Sequence, residues 1–210
     1  MGVGEGRFFR CDHAEKVVFD GAEVTANDNT FANCGKLQEL TIANGTLSVE
    51  KGTWTSGIGP FFVNSNVSVF LNDGSLWVST NYLNDGVIDG VHLLDITGYA
   101  SVCIARGAIP KKVVIHDEAA LDTCQREVSS LFSTVYYPIG NEIYLSASVS
   151  ELPNYFFGDL MDPDVDEIKV YYEGTEAEWD RLTVGSVGNL NYTFGNVSVI
   201  YNYDMENEEK

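Results

Sequence analysis

The sequence predicts a mainly β solenoid with short helices, and three observations carry that expectation. The first is an internal repeat. The stretch Phe31-Ala-Asn-Cys34-Gly-Lys-Leu37-Gln-Glu-Leu40-Thr-Ile42 has an imperfect copy running from Phe8 to Phe19. Phe8 matches Phe31, Cys11 matches Cys34, Ala14 matches Leu37, Val17 matches Leu40 and Phe19 matches Ile42, all at an offset of 23 residues. The second is the alternation inside that unit. Leu37, Leu40 and Ile42 supply inward positions while Gln38, Glu39 and Thr41 face water, as a half-buried strand requires. The third is the recurrence of short β-rich runs down the chain at separations of roughly twenty to thirty residues. A unit of that size cannot bury its apolar face alone and finds cover only against the next unit.

Residues 1–7 are expected to be frayed or the remnant of an upstream repeat. From Phe8 to Val49 two units are recognisable. Phe31 and Cys34 stand one helical turn apart, so a short helix or 3₁₀ turn directs both at one core, and stacking places Cys11 beside Cys34. A further step of 23 from Phe31 and Leu40 reaches Trp54 and Val63, predicting a degenerate third unit with Gly57 at the Cys position. Val67 to Leu71, Asn72-Asp73-Gly74 and Ser75 to Val78 have the composition of a β-hairpin in a meandering sheet, with Gly74 able to take a positive φ. Leu83-Asn-Asp-Gly86 repeats the turn letters.

Further strands are predicted at Val91 to Ile96, Val113 to Ile115, Ile143 to Leu145, Ile168 to Tyr172 and Val197 to Tyr201, with a short helix within Ala119 to Ser130. Residues 142–158 read as another repeat: strand, turn, second short strand, then an aromatic segment in which Phe156 and Phe157 stand as Phe31 does. Near the C-terminus, Thr175-Glu-Ala-Glu178 is a capping box, in which hydroxyl and carboxylate satisfy free amides at a helix start. Trp179 and Leu182 then share a helical face that shields the end of the repeat core. The whole reads as one solenoid over 1–203, with its clearest repeats in 8–63, an irregular β-rich middle in 64–141, the last repeats and cap in 142–203, and an acidic tail at 204–210.

The pattern Phe-x-x-Cys-x-x-Leu-x-x-Leu-x-Ile of residues 31–42, followed by Ala43-Asn44-Gly45-Thr46, resembles the BspA-like leucine-rich repeats of bacterial surface proteins. The resemblance covers residues 8–49. Val170-Tyr-Tyr-Glu-Gly-Thr-Glu-Ala-Glu-Trp179, Gly185 and Val197-Ser-Val-Ile-Tyr201 similarly resemble the closing unit of such proteins, where a strand, a Gly-Thr turn, a Trp-bearing helix and a last strand end the array. The resemblance implies an irregular leucine-rich repeat solenoid, a single right-handed α/β-type stack with degenerate middle repeats and a C-terminal capping unit. Its core is expected from Phe8, Cys11, Val17, Phe19, Phe31, Cys34, Leu37, Leu40 and Ile42, and its cap from Thr175, Glu178 and Trp179.

The charge is strongly acidic: 12 Lys and Arg against 31 Asp and Glu give a formal −19. Nucleic acid and anionic membrane need concentrated basic side chains and are excluded as partners. No apolar run reaches the length that spans a bilayer, and Met1 to Arg7 lacks the basic and apolar regions of a secretory signal. On this reading either a signal segment was removed or the chain was never secreted by that route. The four cysteines, Cys11, Cys34, Cys103 and Cys124, show no C-x-x-C spacing, and buried thiols in the repeat core are expected of Cys11 and Cys34. His13, His92 and His116 are scattered, without the neighbours that a hydrolase motif needs. Asp162, Asp164 and Asp166 match a calcium loop superficially, with Glu173 at its twelfth position. Glu167 stands where the Gly of the sharp turn belongs, and a strand at Ile168 to Tyr172 carries Glu173 away. No metal and no cofactor are therefore assigned.

What remains is recognition. Aromatic side chains on a rigid sheet face serve protein or sugar contacts, and Trp54, Trp77 and Tyr82 are the candidate partner-binding residues. The resemblance implies a non-enzymatic interaction or adhesion module with a protein or surface-glycan ligand, extracellular or on a bacterial cell surface. The alternative is a structural or host-binding component of a phage virion built on the same repeat. A third reading, a carbohydrate-active enzyme, requires two carboxylates facing each other at roughly 5 to 10 Å.

Overall fold

The computed structural model describes residues 13–27, 30–31, 34–50, 67–78, 91–103, 110–123, 139–158, 167–186, 189, 192 and 195–205. In chain order the strands are β1 (Lys16–Asp20), β2 (Glu23–Asn27), β3 (Glu39–Ala43), β4 (Thr46–Glu50), β5 (Val67–Asn72), β6 (Ser75–Val78), β7 (Val91–Thr97), β8 (Tyr99–Cys103), β9 (Lys112–Ile115), β10 (Ala120–Thr123), β11 (Glu142–Leu145), β12 (Glu151–Leu152), β13 (Ile168–Tyr172), β14 (Thr183–Val184) and β15 (Val197–Ile200). A single helical turn, α1 (Glu176–Trp179), lies between β13 and β14. The odd-numbered strands form one eight-stranded sheet in the order β1-β3-β5-β7-β9-β11-β13-β15. The even-numbered strands form a second, five-stranded sheet from β2 to β10, and β12 pairs with β14. Every pairing among these described strands is parallel. This is a parallel β-solenoid: each unit places one strand in the first sheet, turns a corner, places a second strand in the other sheet, and returns one rung further on.

The repeat seen in the sequence is the register of the first rung. Val17 lies beside Leu40 and Phe19 beside Ile42, so the offset of 23 residues is one circuit of the solenoid. The next circuit is longer. Leu40 lies beside Val69 and Ile42 beside Leu71, so the third unit falls on β5 and not at Val63 as an even period requires. Circuit length varies because the returning loops vary, from the short step that sets Leu94 beside Val113 to the long one that sets Val113 beside Ile143. Phe8, Cys11 and Trp54 lie outside the described residues, and with them the expected neighbourhood of Cys11 and Cys34.

Two inward rows form the core. One runs Leu40, Val69, Leu94, Val113, Ile143 and Val170, and the other Ile42, Leu71, Ile96, Ile115 and Leu145; every one of these is fully buried. Val24, Leu47, Leu76 and Ala100 of the second sheet join the same core. Each such aliphatic side chain contributes about 1.5–3 kcal/mol when it leaves water, and in a parallel stack that cover comes from the rungs on either side. Phe31, Cys34 and Leu37 close the third side of their unit, all buried. Their backbone turns as the one-turn spacing predicts: the Cys34 amide donates to the Phe31 carbonyl (3.1 Å) and the Leu37 amide to the Cys34 carbonyl (3.0 Å). Phe156 and Phe157 are likewise buried.

The corner between the sheets corrects the hairpin expectation. β5 and β6 do not pair with each other; β5 lies between β3 and β7, and β6 between β4 and β8. Asn72-Asp73-Gly74 therefore redirects the chain by one corner instead of reversing it. The left-handed residue is Asp73 (φ 49°), and its counterparts on neighbouring rungs are Gly21 (62°), Asn44 (51°) and Gly98 (69°). Gly, Asn and Asp tolerate that conformation best. Successive corners are tied together: the amides of Gly21, Asn44 and Asp73 donate to the carbonyls of Ala43, Asn72 and Thr97 at 2.9–3.0 Å. Side chains add Asn44 Nδ2 to Asp20 Oδ1 (3.0 Å), Thr97 Oγ1 to Asn72 Oδ1 (2.8 Å) and the Tyr99 amide to Asp73 Oδ1 (2.9 Å). A second correction concerns Ala119 to Ser130: Ala120–Thr123 is strand β10, because each rung needs a second wall, and 124–130 lie outside the described residues.

At the C-terminal end the capping box is present. Thr175 Oγ1 accepts from the Glu178 amide (3.3 Å), and Glu178 Oε2 accepts from the Thr175 amide (2.7 Å) and hydroxyl (2.8 Å). Trp179 is buried, edge-on to Tyr172 at 5.4 Å. The sheet continues one strand past this helix, since β15 pairs with β13, so α1 walls the flank of the β13 rung and the outermost strand is β15. Asn189 pins the same end: its Oδ1 accepts from the Phe157 amide (2.8 Å), and its Nδ2 donates to the carbonyls of Pro153 (3.2 Å) and Gly185 (2.6 Å). A buried amide satisfied on both atoms costs little and fixes the loops it joins.

Hydrogen bonds from the backbone and then the side chain of Thr175 hold the Glu178 carboxyl below its ordinary range. Its folded value lies under its unfolded one, so its stabilising contribution is present above the unfolded value and is lost as pH falls through the folded value. Thr175→Ala is expected to raise the Glu178 titration midpoint, followed by NMR, and to lower the melting temperature by roughly 2–4 °C, as a lost N-cap does.

Candidate interaction surface

The outward face of the eight-stranded sheet is built by the residues that alternate with the core rows. Its central row, read across the register, is Val18, Thr41, Phe70, Asp95, Val114, Tyr144, Tyr171 and Ile200. A flanking row runs Lys16, Glu39, Ser68, Leu93, Lys112, Glu142, Lys169 and Ser198. Parallel stacking in register turns isolated positions of the sequence into stripes, one apolar and aromatic but interrupted by Thr41 and Asp95, the other of mixed charge.

Three features stand out on this face. Toward the C-terminal end, Tyr144 and Tyr171 stack with centroids 4.5 Å apart and planes 11° apart. Tyr203 leans on both, at 5.4 Å from Tyr144 and 4.9 Å from Tyr171. Lys112 Nζ sits 4.0 Å above the Tyr144 ring, a cation–π contact that fixes the ring's other side. The rings thus form a rigid block, with Tyr144 buried within it although it belongs to the outward face. In the middle of the sheet His116 Nε2 meets Asp95 Oδ2 at 2.9 Å, and toward the first rung Lys16 Nζ meets Glu39 Oε2 at 2.8 Å.

Of the partner-binding residues predicted from sequence, Trp54 and Tyr82 lie outside the described residues. Trp77 is half-buried on β6, beside the inward Leu76, and its indole Nε1 donates to Ser101 Oγ (3.2 Å). It therefore belongs to the second sheet, on a different wall from the tyrosine block. Asp162, Asp164 and Asp166 also lie outside the described residues, while Ile168–Tyr172 is the strand expected beside them. The tyrosine block escaped sequence reading because its members are spread over residues 144–203 and only the rung register brings them together. The signal was a Tyr at an outward position of two consecutive predicted strands, Ile143 to Leu145 and Ile168 to Tyr172. Compared with protein-family models, with curated proteins and with solved structures, the chain matches none.

Proposed function

We propose that this chain is a non-enzymatic interaction or adhesion module, of the bacterial cell-surface or secreted kind that its resemblance to BspA-like leucine-rich repeats implies, and that it engages a partner through the outward face of the eight-stranded sheet. The observation that supports the reading is the pre-ordered tyrosine block on that face. Tyr side chains bring large contact area at small entropic cost and concentrate binding energy where they are rigid. Tyr171 stacks on Tyr144 by one face, and Tyr203 leans against both rings. The proposed partner is a protein surface, whose apolar and polar groups both find counterparts on a Tyr ring and its hydroxyl. The mixed charges of the flanking row supply polar contacts at the rim.

The test is binding of the purified chain to immobilised surface proteins and, separately, to an array of surface glycans. For a protein partner, Tyr171→Ala is expected to weaken binding about 30-fold, the equivalent of a hot-spot side chain of about 2 kcal/mol, with the fold retained and the melting temperature lowered by only about 2–4 °C for the lost ring packing. Binding that is lost with Trp77→Ala and indifferent to Tyr171→Ala would move the site to the second sheet.

A further inference from the structure

We propose that Asn44 is a site of spontaneous covalent modification, its side-chain amide converted to a carboxyl by the backbone nitrogen of Gly45, and that the conversion loosens the corner it stands on. Asn44-Gly45 forms the corner between β3 and β4, with Asn44 exposed and left-handed (φ 51°). Asn202 is the matched case. It too is exposed and left-handed (57°), but Tyr203 follows it, and the Tyr203 amide donates to the Tyr172 carbonyl (3.0 Å). At the β3–β4 corner the amides on either side of Gly45 are engaged, Asn44 with the Asn72 carbonyl and Thr46 with the Ala22 carbonyl, each at 3.0 Å. The Gly45 amide itself has no acceptor among the described residues. Nor has Gly45 a Cβ to hold its nitrogen away from the Asn44 side chain.

Water is the only co-reactant, and nothing is oxidised or reduced. The Gly45 nitrogen bonds to Asn44 Cγ, the Cγ–Nδ2 bond breaks, and Nδ2 leaves as ammonia with the Gly45 proton. Water then opens the five-membered imide at one of its two carbonyls. Attack at the side-chain carbonyl leaves aspartate, and attack at the main-chain carbonyl leaves isoaspartate. Neither product suits the corner. Asn44 Nδ2 donates to Asp20 Oδ1 (3.0 Å), so aspartate replaces that donor with a second carboxylate and sets like charges together. Isoaspartate routes the main chain through the former side chain, adding one carbon to it, where even a Cβ on Gly45 would collide with the Ala22 backbone. The corner joins the rungs on both sides of it: the Thr46 amide donates to the Ala22 carbonyl, and the Ser75 amide to the Gly45 carbonyl (2.9 Å).

The experiment is to hold the full chain at neutral and at mildly alkaline pH, below its melting temperature and in parallel in urea, and to map its peptides by mass spectrometry over time. In the native chain Asn44 is expected to convert to the acid, with isoaspartate resolved as a separate peptide peak. The conversion is expected to be faster at the higher pH, because the attacking nitrogen must lose its proton. Asn202 and the exposed Asn72, which Asp73 follows, are expected to remain amides over the same interval. Asn44→Asp reproduces the first product and is expected to melt about 2–4 °C below the parent, and the aged chain is expected to follow it down. An Asn44 that remains an amide in the native chain overturns the proposal, and its conversion in urea alone would show that the corner protects it. Equal conversion at Asn202 also overturns it, since the following amide would then not decide. An aged chain that has converted at Asn44 yet melts as the fresh chain does overturns the coupling to the stack. Peptide mapping needs no partner, so its outcome is separate from that of the tyrosine block.

Discussion

Leu94→Ala is expected to lower stability by about 2–5 kcal/mol, while Leu93→Ala, one residue earlier, costs less than about 1 kcal/mol. The two side chains are identical and consecutive, and they lie on one strand, so propensity and composition predict no difference. The solenoid separates them by parity. Leu94 is fully buried between Val69 and Val113 in the inward row. Leu93 is half-buried in the outward row, between Ser68 and Lys112. Truncating Leu94 removes three carbons from a packed site and leaves a cavity that its neighbours, fixed in two ladders, fill poorly. Thermal denaturation should show a drop of roughly 6–15 °C for Leu94→Ala and little change for Leu93→Ala. Equal effects would mean that the strand does not alternate between core and solvent.

Gly74→Ala is expected to destabilise by about 2–3 kcal/mol, with Gly35→Ala within about 0.5 kcal/mol of the parent. A Cβ on Gly74 would lie 2.2 Å from the Ile42 carbonyl oxygen and 2.9 Å from its carbon. Both belong to backbone, so relief requires one rung to move away from the next. A Cβ on Gly35 would meet nothing within 4 Å. The contrast concerns space alone, since neither glycine is among those with positive φ. Urea denaturation of the two variants reads the difference, and a neutral Gly74→Ala would show that successive corners are not in contact.

Much of the architecture was legible because one strand per unit is written in the most regular part of the repeat. Val17, Leu40, Ile143 and Val170 each begin an alternating run, and those runs are the rungs of the first sheet. The second wall was harder to read. Asn-Asp-Gly before Ser75 to Val78 carries the same demand for a left-handed residue whether the chain reverses into a hairpin or bends through a corner, and local sequence does not contain the neighbouring rung that decides. The even step of 23 failed after Ile42 for a related reason: hydrogen-bonded strands fix the register of a rung, whereas the returning loop has no length it must keep. The capping box of Thr175 and Glu178 was legible because every atom it needs lies within four residues. The tyrosine block was not, because Tyr144, Tyr171 and Tyr203 belong to different rungs.

The central claim is that consecutive β segments stack on rungs before and after them and not on each other. Cross-strand amide contacts measured by NMR test it most directly. The solenoid predicts contacts joining the Glu39–Ala43 strand to Val67–Asn72, and Val67–Asn72 to Val91–Thr97, in parallel order with Leu40, Val69 and Leu94 abreast. Antiparallel contacts joining Val67–Asn72 directly to Ser75–Val78 would contradict it.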